Sequence, residues 1–183
     1  AAIRRNRCEL TGQRRDIVRN VECLRGEVAM RMELVIRFDY GHVVPWVRKT
    51  NGSVLATAGP DTLELSASVP THGERLKTVA LFTLRQGERA SFALNYRPSH
   101  MPAPPALDAQ AALDETERAW SEWSARSRYE GRWPDAVMRS LITLKALIYE
   151  PTGGIVAAPT TSLPEQFGGV RNWDYRFCWL RDA

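Results

Sequence analysis

The stretch that decides the fold is Met30-Arg-Met-Glu-Leu-Val-Ile-Arg-Phe38, in which apolar and charged side chains nearly alternate. A period of two places successive side chains on opposite faces of a strand, so the apolar members face a core and the charged members face water. The pattern recurs in residues 63–69 and 90–97, and each stretch predicts a half-buried strand. In residues 90–97 the predicted wet face consists of Ser91, Ala93, Asn95 and Arg97.

Shorter apolar runs fill the rest of this region and lie between turn signals such as Asn51-Gly52 and Gly59-Pro60-Asp61. Together with the alternating stretches they make about seven short strands, the second of them extending to Phe38 and the third covering residues 43–47. No helical period interrupts them. The sequence therefore predicts an antiparallel β-sandwich domain over residues 1–98.

The composition changes at Pro98, where Pro98-Ser-His-Met-Pro-Ala-Pro-Pro105 has four prolines in eight residues. Such a run cannot join a sheet and favours an extended connector. A helix is predicted next, roughly over residues 108–126, with Leu113, Thr116, Trp120 and Trp123 on one stripe. Residues 99–130 are therefore predicted to be a proline-rich connector and linker helix.

A second helix is predicted to begin at Trp133-Pro134-Asp135, because proline is well tolerated in a first turn, and to end before Pro151. Its surface is apolar nearly all round, which is typical of an inner helix in a larger helical body. One such helix cannot form a core alone. Its partners are expected beyond residue 183 or on another chain.

Composition excludes several classes of protein. The chain has 183 residues, 25 Lys plus Arg against 21 Asp plus Glu, and 44% hydrophobic residues, as ordinary globular proteins do. Neither a membrane-spanning stretch nor a secretory leader is evident, and three cysteines give no disulfide framework, so a cytoplasmic location is expected. The arginines are spread along the chain without an aromatic-rich basic motif, which disfavours nucleic-acid binding. We expect no metal and no cofactor, while a homo-oligomer is possible.

The last part of the chain differs from everything before it. A long loop rich in Gly, Pro and Thr covers residues 151–165, and residues 171–182 contain four aromatics, three Arg and two Asp. Aromatic faces can cover the C–H side of a sugar while charged groups hydrogen-bond its hydroxyls. The same residue types also dominate protein interfaces. The residues alone leave both interpretations open.

The sequence Arg171-Asn-Trp-Asp-Tyr-Arg-Phe-Cys-Trp-Leu-Arg-Asp-Ala183, preceded by Ala158-Pro-Thr-Thr-Ser-Leu-Pro-Glu165, closely resembles the signature of glycoside hydrolase family 15, the bacterial glucoamylase-like and trehalase-like group. The resemblance extends to residues 139–147 and, more loosely, to Phe38-Asp-Tyr-Gly41 and Pro45-Trp-Val-Arg48. It implies a β-sandwich, a helical linker and, over residues 131–183, the first part of an (α/α)6 catalytic barrel.

The resemblance also implies residue roles in a subsite for a non-reducing terminal glucose. Arg181 and Asp182 would hydrogen-bond the outer hydroxyls, and Tyr175 and Trp179 would pack around the ring. Trp173, with Asp174, would shape the wall. Structural alternatives remain: an ion pair of Arg181 with Asp182, and a core position for Trp173. Phe177 and Cys178 are predicted to be packing residues.

The implied reaction is hydrolysis of an α-glucosidic bond with inversion, which needs a general acid and a general base roughly 6.5–9.5 Å apart. In the family both are Glu residues later in the barrel, so no catalytic residue is assigned in this chain. We expect this chain to be the N-terminal portion of a glucoamylase, glucodextranase or trehalase, and to be inactive by itself. Its expected partners are a glucose-containing oligosaccharide or disaccharide and the rest of its own barrel. The alternative is a non-catalytic β-sandwich module for carbohydrate binding or assembly.

Overall fold

The computed structural model describes residues 2–3, 15–50, 52–160 and 166–179. In it the chain separates into two compact units, the first running through Ala119 and the second beginning at Trp120. Among the residues that the structure describes, the first unit contains nine strands and the second contains most of the helical sequence. The strands are β1 (Ala2–Ile3), β2 (Arg15–Glu22), β3 (Glu27–Leu34), β4 (Trp46–Thr50), β5 (Ser53–Ala58), β6 (Asp61–Ala67), β7 (His72–Glu74), β8 (Lys77–Arg85) and β9 (Arg89–Pro98).

These strands form two antiparallel sheets. The larger sheet has six strands in the order β1-β2-β9-β6-β5-β4, and the smaller has three in the order β3-β8-β7. β9 lies at the centre of the larger sheet and pairs with β2 and β6, while β4 and β7 are edge strands. Each of the seven predicted strands is present, and the sequence reading missed the short strands β1 and β7.

The two sheets pack face to face through one apolar cluster. Val54, Leu65 and Phe92 of the larger sheet meet Ala80 and Leu84 of the smaller one. The Phe82 and Phe92 rings lie 5.8 Å apart between centroids and join the sheets at the middle of this cluster. The antiparallel β-sandwich is therefore confirmed, with the alternating apolar residues on its inner faces.

Two predicted strand boundaries were wrong. β3 ends at Leu34, which pairs with Thr78, one residue short of Lys77 at the start of its partner β8. The chain then makes a short 3-10 turn at Asp39–Gly41, and Phe38 forms an isolated bridge with Val43. The next strand consequently starts at Trp46 rather than Val43.

The predicted wet face of β9 was also wrong. Asn95 is buried there, and Ala93 packs in a second apolar cluster with Val18, Ala112 and Leu113. These last two residues belong to the helix α1 (Ala109–Ser124), whose first turns lie against the outer side of the sheet. The small side chain of Ala93 allows the backbone of α1 to approach this face of β9 closely.

α1 agrees with the prediction from the sequence. Asp108 caps it, since its Oδ1 accepts hydrogen bonds from the backbone N–H groups of Gln110 at 2.9 Å and Ala111 at 3.0 Å. The predicted stripe of Leu113, Thr116, Trp120 and Trp123 is half-buried throughout, and the two Trp rings make an edge-to-face contact at 6.3 Å.

The second helix, α2 (Pro134–Ala146), begins with proline in its first turn as predicted. None of its residues is fully buried, although Val137, Leu141 and Leu144 are apolar. It is followed by a small antiparallel hairpin of β10 (Ile148–Tyr149) and β11 (Gly154–Ile155). Within the described part of the chain, no helix is long and apolar enough to cross a lipid bilayer. The (α/α)6 barrel stays a prediction, as do the domain boundaries.

Charged side chains form a network on the exposed face of the smaller sheet. Glu33 accepts hydrogen bonds from Lys77 at 2.8 Å and from Arg31 at 2.7 Å, and Arg31 also reaches Glu74 at 3.0 Å. The hydrogen bond from Lys77 and, to a smaller extent, that from Arg31 lower the pKa of Glu33 to about 2. The network joins β3, β7 and β8 across their exposed face.

Candidate functional site

The candidate sugar site is carried by the motif segment, defined as residues 171–179, and its backbone is held by the hairpin before it. The Ala158 N–H donates to the Tyr175 carbonyl at 2.9 Å, and the Ala157 N–H donates to the Phe177 carbonyl at 3.1 Å. On the other side, the Val156 N–H donates to the Leu147 carbonyl at 3.0 Å. Residues 156–158 therefore lie between the end of α2 and the motif segment, and hold the backbone of the latter at Tyr175 and Phe177.

A glycine permits a close approach at this point. Val156 and Cys178 form an antiparallel bridge, which brings the Cys178 side chain over Gly154. A Cβ atom added to Gly154 would lie 3.3 Å from Cys178 Sγ, tighter than ordinary contact. The glycine in this loop thus sets how closely the motif segment approaches β11.

A charged pair fixes the middle of the motif segment. Arg176 makes a forked ion pair with Asp174, with Nη2 at 2.7 Å from Oδ2 and Nε at 3.0 Å from Oδ1. The Arg176 backbone N–H also donates to Asp174 Oδ1 at 3.0 Å. No role was predicted for Arg176, although an Asp two residues before an Arg can accept hydrogen bonds from both its guanidinium and its backbone N–H. This pair orients the backbone on which Trp173 and Tyr175 are carried.

The aromatic side chains of the motif segment are open to solvent. Trp173 is 54% exposed, Phe177 63% and Trp179 46%, while Tyr175 is half-buried. The core alternative for Trp173 is therefore not observed. Phe177 is exposed, and Cys178, also exposed overall, places its Sγ against Gly154, so their assignment as packing residues stays a prediction. Rings held on a fixed backbone and left uncovered are available to a ligand.

Two of the five predicted site residues cannot be placed. Arg181 and Asp182 lie outside the described residues, as do residues 161–165 of the preceding loop. Trp173, Tyr175 and Trp179 lie on the motif segment, as their positions in the sequence require. Their contacts with a sugar stay predictions.

With this geometry established, the class of protein follows from sequence comparison. Residues 131–183, which contain α2, the hairpin and the motif segment, match the family model described as Glycosyl hydrolases family 15. The resemblance identified from the motif is confirmed, and the chain is similar in sequence to family 15 trehalases.

The individual relatives are trehalases. The chain is 32% identical over 168 residues to the trehalase of Thermoplasma volcanium, covering 92% of this chain and 27% of the relative. It is 36% identical over 177 residues to the trehalase of Mycolicibacterium smegmatis, covering 91% of this chain and 26% of the relative. A shorter match, 52% identical over 58 residues, covers 32% of this chain and 10% of Trehalase 2 of Sulfolobus acidocaldarius.

The chain thus spans little more than a quarter of the length of the relatives that it matches along most of its own length. No solved structure matches it significantly. The similarity reaches well beyond residues 131–183, because a match to 91% or 92% of the chain must include most of the β-sandwich.

Proposed function

We propose that this chain forms the N-terminal portion of a cytoplasmic, inverting α-glucosidic glycoside hydrolase of the trehalase type. In this proposal the β-sandwich leads into the first part of an (α/α)6 barrel, and the motif segment supplies the subsite for one glucose unit of trehalose. The observation that carries it is the set of solvent-exposed rings on a backbone fixed by hydrogen bonds, in a stretch that matches family 15.

The chemistry assigned to each residue follows from its side chain. Trp179 and Tyr175 offer apolar ring faces to the C–H groups of a pyranose, and Trp173 forms the wall beside them. Arg181 and Asp182 hydrogen-bond the sugar hydroxyls, with the guanidinium as donor and the carboxylate as acceptor. These contacts bind and orient one glucose unit. Water activation and leaving-group protonation need two carboxyl groups that the family resemblance places later in the barrel.

The proposal is tested in a chimera, because the chain alone is expected to release no glucose from trehalose. Residues 131–183 replace the matching residues of the Thermoplasma volcanium trehalase. We expect the chimera to hydrolyse trehalose and, at early times by NMR, to release one β-glucose per bond cleaved. A chimera that folds by circular dichroism and gel filtration but leaves trehalose intact would contradict the trehalase assignment. Release of glucose by the isolated 183-residue chain would contradict its expected inactivity.

Variants in the chimera test the residue roles. Asp182→Asn should lower kcat/KM by one to two powers of ten, because a hydrogen bond to a charged group contributes about 1.5–3 kcal/mol. Trp179→Leu should raise KM, whereas Phe177→Leu, the matched control in the same segment, should leave kcat/KM nearly unchanged. Equal effects of the two Leu variants at equal melting temperature would refute the role given to Trp179.

A further inference from the structure

A groove on the β-sandwich lies outside the motif segment and has no part in the proposed function. It is a cavity of about 500 Å³ between β4, the edge strand of the larger sheet, and the β7–β8 hairpin of the smaller sheet. Leu34, Ile36 and Val54 line it from the core side. The groove therefore lies at the open edge of the sandwich, where both sheets end.

Strand β4 presents an unused edge to this groove. All five of its residues are exposed, and β5 is its one partner strand among the described residues. The backbone N–H and C=O groups on its free side can therefore pair with an added strand. Trp46 is 80% exposed on this strand, far more than a tryptophan side chain usually is, and Val47 beside it is also exposed. The edge thus combines an exposed Trp with the charged side chains of Arg48 and Lys49.

The groove is lined by more positive than negative charge. Its cationic side chains are Arg37, Arg48, Lys49, Arg75 and Lys77, and its one carboxylate is that of Glu74. Lys77 is paired with Glu33, and Lys49 donates to the Thr71 carbonyl at 3.0 Å. Arg48 and Arg75, by contrast, have no carboxylate partner in the described part of the chain.

The hairpin turn opposite β4 holds one of these arginines at the rim. Arg75 and Leu76 form the two-residue turn between β7 and β8, with φ of 46° and 60°. A turn of this kind matches the twist of the strands but is usually made by Asn or Gly, because other side chains are strained at positive φ. An arginine without a carboxylate partner among the described residues and an exposed leucine thus occupy positions where Asn or Gly would have less backbone strain.

We propose that this groove binds an extended, acidic peptide segment, which adds to β4 as a further antiparallel or parallel strand. Backbone pairing along the five residues of β4 covers about 17 Å, the length of a five-residue strand. Apolar side chains of the peptide pack on Val47, on one face of β4, and its carboxylates pair with Arg48 on the other face and with Arg75 across the groove. A second copy of this chain is the less favourable occupant, since β4 against β4 would bring Arg48 and Lys49 close to their own copies.

The probe is a fluorescein-labelled eight-residue peptide of alternating Glu and Val, capped at both ends, titrated with the 183-residue chain by fluorescence anisotropy. We expect saturable binding that weakens as salt is added. A Lys-Val peptide and an N-methylated Glu-Val peptide, which cannot pair along a strand, should each bind at least tenfold more weakly. The double variant R48E/R75E should weaken binding of the Glu-Val peptide at least tenfold. R25E, which makes the same type of change at an exposed site away from the groove, should leave it within twofold.

Four outcomes would overturn the proposal. The first is no binding of the Glu-Val peptide at 1 mM, and the second is equal binding of the N-methylated peptide, which would indicate general charge attraction. The third is displacement of the peptide by glucose oligomers at millimolar concentration, which would make the groove a carbohydrate site. The fourth is a dimer in sedimentation analysis that W46A abolishes, which would make a second copy the occupant. None of these results depends on trehalose hydrolysis, so the proposed function is tested separately.

Discussion

The face-to-face packing of the two sheets predicts a large loss of stability for Phe92→Ala. Phe92 is 7% exposed, and its ring meets Phe82 of the opposite sheet at 5.8 Å. Replacing a buried Phe by Ala costs about 3–5 kcal/mol, from lost transfer free energy and from the cavity that remains. Because folded domains are stable by only about 5–15 kcal/mol, this one change should remove a large part of the stability of the sandwich.

The measurement is urea denaturation followed by circular dichroism in the β-sheet region, with the free energy of unfolding extrapolated to water. Leu81→Ala is the matched control, because Leu81 lies on the neighbouring position of β8 but is 58% exposed. It should cost less than about 1 kcal/mol. A double-mutant cycle of Phe92→Ala with Phe82→Leu should show a coupling of about 0.5–1.5 kcal/mol, as expected for an aromatic pair.

The reasoning would be refuted if Phe92→Ala cost no more than Leu81→Ala, or if the cycle showed no coupling. The first result would mean that the Phe92 ring is not buried between the sheets. The second would mean that Phe82 and Phe92 do not contact each other, so that the two sheets are joined by other residues.

Three further predictions follow from single contacts. Asp108→Ala should destabilise the first unit by about 1 kcal/mol in urea denaturation, because it removes the cap of α1, whereas Asp108→Asn should cost little. The Tyr96 hydroxyl donates a hydrogen bond to Asp61, which raises the pKa of Tyr96. The stabilisation from this bond is therefore complete below pH 10 and is lost as pH rises through the raised pKa. Tyr96→Phe should cost about 1.5–3 kcal/mol at pH 7, and above pH 10 its melting temperature should fall less with pH than that of the unaltered chain. The pKa of Glu33 is lowered from 4.5 to about 2, so its contribution is complete above 4.5 and is lost as pH falls toward 2; the melting temperature of Glu33→Gln should therefore fall less over that interval than that of the unaltered chain. A parallel fall in both proteins would show that Glu33 contributes nothing.

Local sequence patterns predicted most elements of the fold. The alternation of apolar and polar side chains in residues 30–34 and 63–67 was sufficient to predict β3 and β6, because one face of each strand meets a core and the other meets water. Proline marked the start of α2, since it acts through backbone groups within the first turn. The length of the motif in residues 171–183 made the family recognisable from sequence alone.

The sequence by itself therefore determined seven of the strands, both helices and the family resemblance, because each depends on neighbours a few residues apart. The tertiary structure alone decided which faces are covered. Ala93 lies in an apolar cluster because α1, which begins sixteen residues later in the chain, returns over this face of β9, and Asn95 is buried on the same face. The groove beside Trp46 exists because β4 and β7, far apart in sequence, both end their sheets on the same side. Burial and open edges depend on contacts between distant residues, and such contacts leave no local period in the sequence.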